Sequence, residues 1–465
     1  MDFKNLIFND DKPKYVVLAE YIKEFIRKGE IEDGEKLPTI RSLVDEIDVN
    51  KATIISAYKK LEEEGYAVSK IGSGTFAKQR DFTRIIKRQY SRTFKKLSKD
   101  RIKDFIDFTG ETTSAELFPI DEFKSVINEV LDRDGAEALI YRDSLGYEEL
   151  RETIRRKFWN NSVSLSDILI VSGAQQGIDI VAKTIVNPND NVIVEKPTYS
   201  GALSVFKSRR ANIIEVGIED DGVNLEELEK ILKRNKIKLF YTMSYFQNPS
   251  GVTISKEKKE KLLLLAEKYD FYIVEDDYLS ELIYDEKIEY IPIKKMDISE
   301  KVIYIKSFSK IFLPGIRLGY MISPKGLNDS LQLAKINTDI STSSLMQRVL
   351  QKYIDNDYWI SHTRELTDVY RMRYECITKS IDTILKDKVS YVLTGGGLHL
   401  FVKIKTGRMD SVSLYNALKK ENVLITPGVL FFNNGNDGLK YFRIGFSEVH
   451  CDKITYGIEI INKYI

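Results

Sequence analysis

Cysteine and histidine are scarce in this chain of 465 residues. Its two cysteines, Cys376 and Cys451, are too few for a disulfide framework and are interpreted as inert thiols. Its three histidines, His362, His399 and His450, are scattered without the spacing of metal ligands. The sequence therefore predicts neither a disulfide-stapled fold nor a metal site.

Long apolar runs and an excess of one charge are also missing. No stretch is long enough to cross a bilayer, and acidic residues interrupt the N-terminal segment before a signal-peptide core develops. We therefore expect a cytoplasmic protein with no membrane partner. The 71 basic residues nearly balance the 70 acidic ones, so a polyanionic partner must be bound locally. The length favours two or three folding units.

The most informative motif runs from Ser307 to Gly319 and reads Ser-Phe-Ser-Lys-Ile-Phe-Leu-Pro-Gly-Ile-Arg-Leu-Gly. It places Lys310 directly after Ser309 and seven residues before Arg317. Lysine forms a Schiff base with an aldehyde, and hydroxyl groups together with a guanidinium bind phosphate oxygens. The pattern therefore favours an aldehyde cofactor that carries a phosphate.

Beyond residue 105, short apolar segments alternate with stretches of helical length. Such continuous apolar character predicts a buried, mostly parallel sheet, with ligands bound at the carboxyl ends of its strands. After about Leu345 the rhythm changes, and strand patterns at 398–404, 423–425 and 441–446 predict a smaller C-terminal α+β subdomain. The strand-like segments of the predicted sheet are 168–171, 191–194, 213–216, 239–242, 271–274 and 302–305.

Polar and aromatic residues follow several of these predicted strands. Gly173 closes one strand and opens a helix, whose backbone N–H groups favour a phosphate. Tyr199 follows the next strand, where an aromatic ring stacks on a pyridine. The segment 275–278, Glu-Asp-Asp-Tyr, ends another strand. An acid there keeps a pyridine nitrogen protonated, and spacing alone leaves open which of the three carboxylates does so.

The Lys310 run closely resembles the cofactor-lysine motif of fold-type I aminotransferases that use pyridoxal 5'-phosphate (PLP). The resemblance implies PLP as the cofactor, with Lys310, Asp276 and Tyr199 as catalytic residues. It also implies that Arg443 binds the α-carboxylate of an amino acid, and that Tyr141 reaches a phosphate across a dimer interface. The cofactor-binding residues implied by the resemblance are Lys310, Gly173, Ala174, Gln175, Tyr199, Asn248, Asp276, Tyr278, Ser307, Ser309, Arg317 and Tyr141.

The first 77 residues show three helical patterns followed by a hairpin. Thr39 and Asn50 stand where the N-caps of the second and third helices belong. A turn at 72–74 between two strand patterns predicts the hairpin. A helix-turn-helix beside such a wing is arranged for entry into the major groove of DNA. The predicted buried stripes are Leu18, Ile22, Phe25 and Ile26, then Ile40, Leu43, Val44 and Ile47, then Ile54, Ala57, Tyr58 and Leu61.

This span resembles the GntR-type winged helix, on motifs that include Leu-Pro-Thr-x-Arg at 37–41 and Val-Asn-Lys-x-Thr at 49–53. The resemblance implies that double-stranded operator DNA is contacted by Arg41, Asn50, Lys51, Thr53 and the wing at Gly74. Each of these residues alone also fits a solvated position, and Asn50 fits a cap. Because residues 1–77 hold 12 basic and 15 acidic side chains, we expect modest affinity from one module and useful affinity from two.

Residues 78–104 hold 11 basic and 3 acidic side chains. They are interpreted as an extended linker, with a partly helical strap around Ile85, Ile86 and Tyr90 as the alternative, and their charge also suits contact with the DNA backbone. Winged helix (1–77), basic linker (78–104) and aminotransferase-like body (105–465) together resemble the MocR-type regulators of the GntR superfamily. The resemblance implies a head-to-tail homodimer that regulates transcription. It implies that PLP or a small amino compound is sensed by aldimine exchange at Lys310.

One departure from that family concerns the segment Gln247-Asn248-Pro249. Several such regulators have a His-Gln-x-Pro pattern there, and this sequence is closer to working transaminases. A catalytically active aminotransferase with an attached DNA-binding head is therefore the alternative hypothesis. A scaffold without cofactor is a third.

Overall fold

The computed structural model describes residues 3, 6, 8, 13–28, 30–31, 34–47, 49–70, 72–78, 105–140, 143–407 and 409–465. The chain divides into two compact units, residues 1–99 and 100–465. Apart from Lys78, the predicted basic linker lies outside the described residues. No helix in the described ranges has both the length and the apolar content needed to cross a membrane.

The N-terminal unit is a set of helices followed by a two-stranded hairpin. Its elements are α1 Lys14–Lys28, α2 Ile40–Ile47, α3 Lys51–Glu63, β1 Ala67–Lys70 and β2 Gly74–Ala77. Leu18, Ile22, Leu43, Ile54 and Leu61 are fully buried, so the predicted stripes do form one core. The strands β1 and β2 pair antiparallel, which confirms the predicted wing.

Side-chain caps begin two of these helices, as the sequence predicts. The Thr39 Oγ1 accepts a hydrogen bond from the Ser42 N–H at 3.1 Å, in front of α2. The Asn50 Oδ1 accepts one from the Thr53 N–H at 2.8 Å and caps α3. Each cap satisfies a backbone donor that the first turn of a helix leaves free.

The body is built around a mixed sheet that, within the described residues, has eight strands in the order β4-β11-β10-β9-β8-β5-β6-β7. The pairs from β10 through β6 are parallel, whereas β11 and β7 run antiparallel to their neighbours. The apolar segments predicted as strands all lie in this sheet. Its strands are β4 Ile168–Val171, β5 Asn191–Lys196, β6 Asn212–Glu219, β7 Gly222–Val223, β8 Ile237–Thr242, β9 Tyr272–Asp277, β10 Val302–Ser307 and β11 Gly319–Ile322.

Helices alternate with these strands and continue beyond the sheet. The longest of them, α13, has 23 residues. The helices of the body are α4 Ile120–Asp134, α5 Glu148–Lys157, α6 Ala174–Ile185, α7 Ser200–Ser208, α8 Leu225–Arg234, α9 Lys256–Tyr269, α10 Ile293–Met296, α11 Asn328–Ile336, α12 Ser344–Asp355, α13 Tyr358–Ser380, α14 Ser411–Lys420 and α15 Cys451–Asn462.

A smaller antiparallel sheet forms the predicted C-terminal subdomain. Its strands, in the order β12-β13-β16-β15, are β12 Val389–Ser390, β13 His399–Ile404, β15 Thr426–Pro427 and β16 Tyr441–Gly445. One pairing is not predicted by the sequence: β14 Val423–Leu424 lies parallel to β3 Ile106–Asp107, at the start of the body. The segment that follows β3 is thereby anchored to the C-terminal subdomain.

Candidate cofactor pocket and DNA-binding face

A pocket of about 140 Å³ lies at the carboxyl ends of the parallel strands. The ends of β9 and β10 and the loops after β4, β5, β8, β9 and β10 bring their side chains together there, which is where open α/β sheets bind ligands. Most of the predicted cofactor-binding residues meet in this pocket, and Met243 joins them. Its lining residues are Ala174, Gln175, Tyr199, Met243, Asn248, Asp276, Tyr278, Ser307, Ser309, Lys310 and Arg317.

Asp276 is a buried acid with half of its carboxylate unsatisfied. The Tyr241 hydroxyl donates to Asp276 Oδ2 at 2.6 Å. The buried Oδ1 has no hydrogen-bond partner among the described residues. Burial raises the pKa of Asp276 to about 6, although the hydrogen bond from Tyr241 opposes the shift. A buried acceptor without a partner is costly and suits a donor on a bound ligand.

The two acids beside Asp276 are fully engaged elsewhere. Glu275 accepts hydrogen bonds from Ser244 Oγ and, at 2.8 Å, from the Ile293 N–H. Asp277 accepts from Lys306 Nζ at 3.0 Å and from the Tyr304 hydroxyl at 2.7 Å. Of the three neighbouring carboxylates that spacing could not separate, Asp276 is thus the one that lines the pocket.

The opposite end of the pocket offers donors for an anion. Gly173 is the N-cap of the 12-residue helix α6 and has a φ of 91°, a backbone conformation that favours glycine. A Cβ at this position would lie 3.0 Å from Arg317 Nη2. Arg317 donates to Ser309 Oγ at 3.4 Å and to the Ser172 carbonyl at 3.1 Å. A guanidinium beside a helix N-terminus is a suitable cradle for phosphate.

Two tyrosines line the pocket between these ends. Tyr199 directly precedes α7, and its hydroxyl donates to Gln175 Oε1 at 3.2 Å. A Cβ at Gly201 would collide with the Tyr199 ring, so glycine leaves the room that the ring occupies. The Tyr278 hydroxyl donates to the Phe246 carbonyl at 2.6 Å. In this structure the proton of Tyr278, a predicted cofactor-binding residue, is therefore engaged by the protein backbone and not directed into the pocket.

Arg443 lies behind the pocket on β16, with 1% of its side chain exposed. It donates to Asn248 Oδ1 at 2.9 Å and to the Thr109 carbonyl at 3.2 Å. Its guanidinium also forms an ion pair with Glu111, whose other carboxylate oxygen lies 3.1 Å from Lys310 Nζ. Glu111 thus joins the predicted nucleophile to the predicted carboxylate-binding arginine.

Three residues of the site, Glu111, Tyr241 and Met243, are not predicted by the sequence. Tyr241 stands inside an apolar strand pattern, which gives no sign of a polar role. Met243 follows the same strand without a polar signal. Glu111 belongs to none of the motifs described above. Tyr141, predicted to reach a phosphate across a dimer interface, lies outside the described residues.

The predicted DNA-contacting residues lie along one helix-turn-helix and its wing. Arg41, Asn50 and Lys51 are exposed, at or near the N-termini of α2 and α3, and Gly74 is exposed in the wing. Thr53, which the resemblance also implies as a DNA contact, is half-buried, and its hydroxyl donates to Asn50 Oδ1 at 2.9 Å. In a helix-turn-helix motif, here α2 and α3, the N-terminal residues of the second helix are the ones that contact base edges. In this chain that helix is α3.

These two units define a helix-turn-helix protein with an aminotransferase fold. The model of the gntR family of bacterial regulatory proteins matches residues 14–77, and that of class I and II aminotransferases matches residues 112–461. The chain is 31% identical to the uncharacterized HTH-type transcriptional regulator YcxD of Bacillus subtilis, over 97% of this chain and 100% of that protein.

Two aminotransferases resemble the body alone. Aromatic-amino-acid aminotransferase 1 of Thermococcus litoralis is 32% identical over 77% of this chain and 87% of that protein. The crystal structure of Pyrococcus horikoshii kynurenine aminotransferase is 32% identical, covers 80% of this chain and 93% of that chain, and superimposes with a TM-score of 0.76. The chain belongs to the MocR-type family of transcriptional regulators, which join a GntR helix-turn-helix domain to a class I and II aminotransferase domain.

Proposed function

We propose that this chain is a PLP-dependent transcriptional regulator, whose pocket senses PLP or a small amino compound at Lys310. The observation that best supports the proposal is the set of groups facing one pocket: a lysine amine, the unsatisfied Asp276 Oδ1 and the Arg317 guanidinium. An amine, an acid and a cation suit the aldehyde, the pyridine nitrogen and the phosphate of PLP. The family to which the chain belongs is a second support.

The residues of the pocket fit PLP at each of its polar groups. A phosphate is neutralised by Arg317 and by the positive end of α6, where the Ala174 and Gln175 N–H groups are free of helical partners. The predicted holders are Gly173, Ala174, Gln175, Ser307, Ser309 and Arg317 for the phosphate, Tyr199 for the ring face, Asp276 for the ring nitrogen, Asn248 for the ring hydroxyl, and Lys310 for the aldehyde carbon. Tyr278 would join Asn248 only after its hydroxyl leaves the Phe246 carbonyl.

When bound, PLP supplies an aldehyde that condenses with primary amines and a pyridine ring that draws electrons from them. Asp276 Oδ1, which lacks a partner among the described residues, would accept a hydrogen bond from the N–H of the ring nitrogen. Because burial opposes the charge of Asp276, a cationic partner at Oδ1 stabilises that carboxylate and keeps the proton on the nitrogen. Lys310 Nζ is the amine with which an effector amine competes, and Arg443 binds a carboxylate on that effector.

We propose further that two copies pair head to tail, and that the response reaches a pair of winged helices on operator DNA. Apolar side chains exposed on the body support an interface: Leu333 of α11 is 60% exposed and Ile340 is 68% exposed. Leu139 is 67% exposed in the segment before Tyr141. Gln332 of α11 donates to Ser144 Oγ at 2.6 Å, which places α11 beside the start of the next described segment. Exposed apolar patches of this kind mark contact surfaces.

A mobility-shift assay on the DNA upstream of the gene tests the regulatory function. The full-length protein, loaded with PLP, is expected to bind that DNA specifically at low and moderate salt. It is also expected to show visible absorbance that differs from that of free PLP. Binding to the upstream DNA no tighter than to an unrelated sequence would contradict the proposal.

A second candidate function is transamination. The hydrogen bond from Arg443 to Asn248 favours transamination. Asn248 orients the predicted carboxylate-binding arginine, and it lies in the segment where several MocR-type regulators have the pattern His-Gln-x-Pro. Turnover of an amino donor and a keto acid by the full chain tests this function. Sustained turnover that leaves DNA binding unchanged would favour the enzyme over the sensor.

A further inference from the structure

Glu111 lies between two cations, Arg443 and Lys310. The proposed function gives both of them other partners, an effector carboxylate for Arg443 and the PLP aldehyde for Lys310. One carboxylate oxygen pairs with Arg443, and the other lies 3.1 Å from Lys310 Nζ. The remaining contacts of the Arg443 terminal nitrogens go to Asn248, to the Thr109 carbonyl and, at 3.4 Å, to Thr426 Oγ1. Within the described part of the chain, Glu111 is thus the carboxylate that forms an ion pair with the Arg443 guanidinium.

The backbone around Glu111 is anchored on both sides. Before it, the Gly445 N–H donates to the Phe108 carbonyl at 2.7 Å. After it, the Thr113 N–H donates to the Lys310 carbonyl at 3.2 Å. The side chain itself is 29% exposed, so part of it already contacts solvent. Its carboxylate can therefore leave Arg443 for solvent by side-chain rotation, with the backbone held in place.

The charge of Glu111 is firmly negative. Burial opposes ionisation, but the positive charges of Arg443 and Lys310 outweigh it and hold the pKa of Glu111 well below its ordinary value. A second carboxylate close to this one would be repelled, since two like charges in a poorly solvated site cannot both be accommodated. Arg443 therefore binds either Glu111 or a ligand carboxylate.

We propose that Glu111 is a specificity-determining residue of the pocket, an internal carboxylate that a ligand must displace before its own carboxylate binds Arg443. The inference rests on the proposed function, which assigns Arg443 to the effector. A ligand with a carboxylate then binds only the fraction of molecules in which Glu111 has moved away, and its apparent affinity falls by that fraction. An amine without a carboxylate leaves Glu111 in place. Glu111 thus biases the pocket against carboxylates that bind too weakly to displace it from Arg443.

Calorimetric titration of the cofactor-free, full-length protein with 3-phenylpropionate tests the inference. This probe is a monocarboxylate without an amine, and 3-phenylpropanol serves as its uncharged counterpart. Glu111→Gln keeps the side-chain shape and removes the charge. It is expected to bind 3-phenylpropionate about tenfold or more tightly than the wild type. A tenfold gain corresponds to a wild-type site that is open in about one molecule in ten. The alcohol is expected to bind both proteins alike.

The matched control is Glu116→Gln, five residues further along the same segment. Glu116 pairs with Arg373 at 2.6 Å, away from the pocket, so this variant is expected to titrate like the wild type. Adding Arg443→Met to Glu111→Gln is expected to remove the gain. Glu111→Ala is the second variant, with the same expectation, and thermal melting of each protein verifies that it is folded.

Binding of 3-phenylpropionate by folded Glu111→Gln and Glu111→Ala that is equal to or weaker than wild-type binding would overturn the inference, and so would undetectable binding by both variants. PLP uptake is measured separately, by visible absorbance. Normal uptake with no gain in carboxylate binding overturns the role of Glu111 and leaves the proposed function standing. Absence of uptake by the wild type overturns the proposed function, whatever the carboxylate titration gives.

Discussion

The two units of this chain present their candidate functional groups in opposite ways. In the N-terminal unit, Arg41 and Lys51 are exposed, where water satisfies a charge at little cost. In the body, Asp276 and Arg443 are almost fully buried, where an ionised group without a partner is strongly unfavourable. A buried, unsatisfied acid such as Asp276 therefore indicates a bound ligand on its own. An exposed lysine such as Lys51 indicates DNA contact only when the residues around it match a DNA-binding motif.

The largest expected effect is in the body, at Lys310. Lys310→Ala removes the amine that retains PLP, so cofactor carried through gel filtration is expected to fall from near stoichiometric to undetectable. Visible absorbance of the eluted protein is the measurement. Lys325→Ala is the control, since the Lys325 side chain is 73% exposed. Equal retention of cofactor by both variants would contradict the role of Lys310.

Asp276→Asn is expected to separate stability from binding. At neutral pH the charged wild-type side chain opposes folding, and a pKa of about 6 in place of 3.8 corresponds to about 3 kcal/mol at most. Because this pKa is raised in the folded state, the contribution of Asp276 is favourable below about pH 4 and is lost as pH rises toward about 6. The cofactor-free variant should therefore gain stability over the wild type through that window, and lose PLP affinity by tenfold or more.

Chemical denaturation across pH and a PLP titration measure the two quantities. Asp329→Asn, at the exposed start of α11, is the control. If Asp276→Asn were less stable than the wild type at pH 7 and bound PLP normally, the carboxylate would be structural, and the comparison between buried and exposed groups would fail.

A smaller effect is expected in the N-terminal unit, at Lys51. If Lys51 contacts a phosphate, Lys51→Ala weakens binding to all DNA sequences alike and lowers the slope of log affinity against log salt by about 1. Anisotropy of labelled DNA at several salt concentrations is the measurement. Lys59→Ala, two turns further along α3, is the control because its side chain is 74% exposed. Identical slopes for the two variants would assign Lys51 to solvent.

The smallest effect concerns Asn50, which caps α3 and is also predicted to contact DNA. Asn50→Ala is expected to lower unfolding stability by about 1 kcal/mol through loss of the cap. Asn50→Asp keeps a cap oxygen for the Thr53 N–H and adds a negative charge, so it should stay stable and bind DNA more weakly. Thermal melts and DNA binding on the same variants separate the roles. DNA binding by Asn50→Asp equal to that of the wild type would leave Asn50 with the cap alone.

Sequence patterns predicted the fold well because its signals are local. Continuous apolar strands gave the sheet, and the carboxyl ends of parallel strands necessarily bring residues such as Tyr199 and Asp276 to one edge. The strands β3 and β14 are two residues long and carry no recognisable period, so their pairing could not be predicted.

The residues that pair with Lys310 and Asp276 in the site could not be predicted from the sequence, for a different reason. Glu111 lies 199 residues before Lys310, and an ion pair of this kind depends on how distant loops pack. The same holds for Tyr241, whose hydroxyl meets Asp276 from a neighbouring strand although its sequence context is apolar. Motifs identified the groups predicted to contact a ligand, and only the folded chain identified the groups that hold them in place.

The most direct test of the regulatory account follows DNA binding and the pocket in one sample. PLP-loaded protein is mixed with labelled upstream DNA and titrated with candidate amino compounds, while anisotropy and visible absorbance are both recorded. Coupling between pocket and winged helix predicts that one compound changes both signals along the same curve, with DNA affinity altered by about fivefold or more. It also predicts that Lys310→Ala shows neither change. DNA affinity that stays constant while the absorbance titrates to completion would contradict the account.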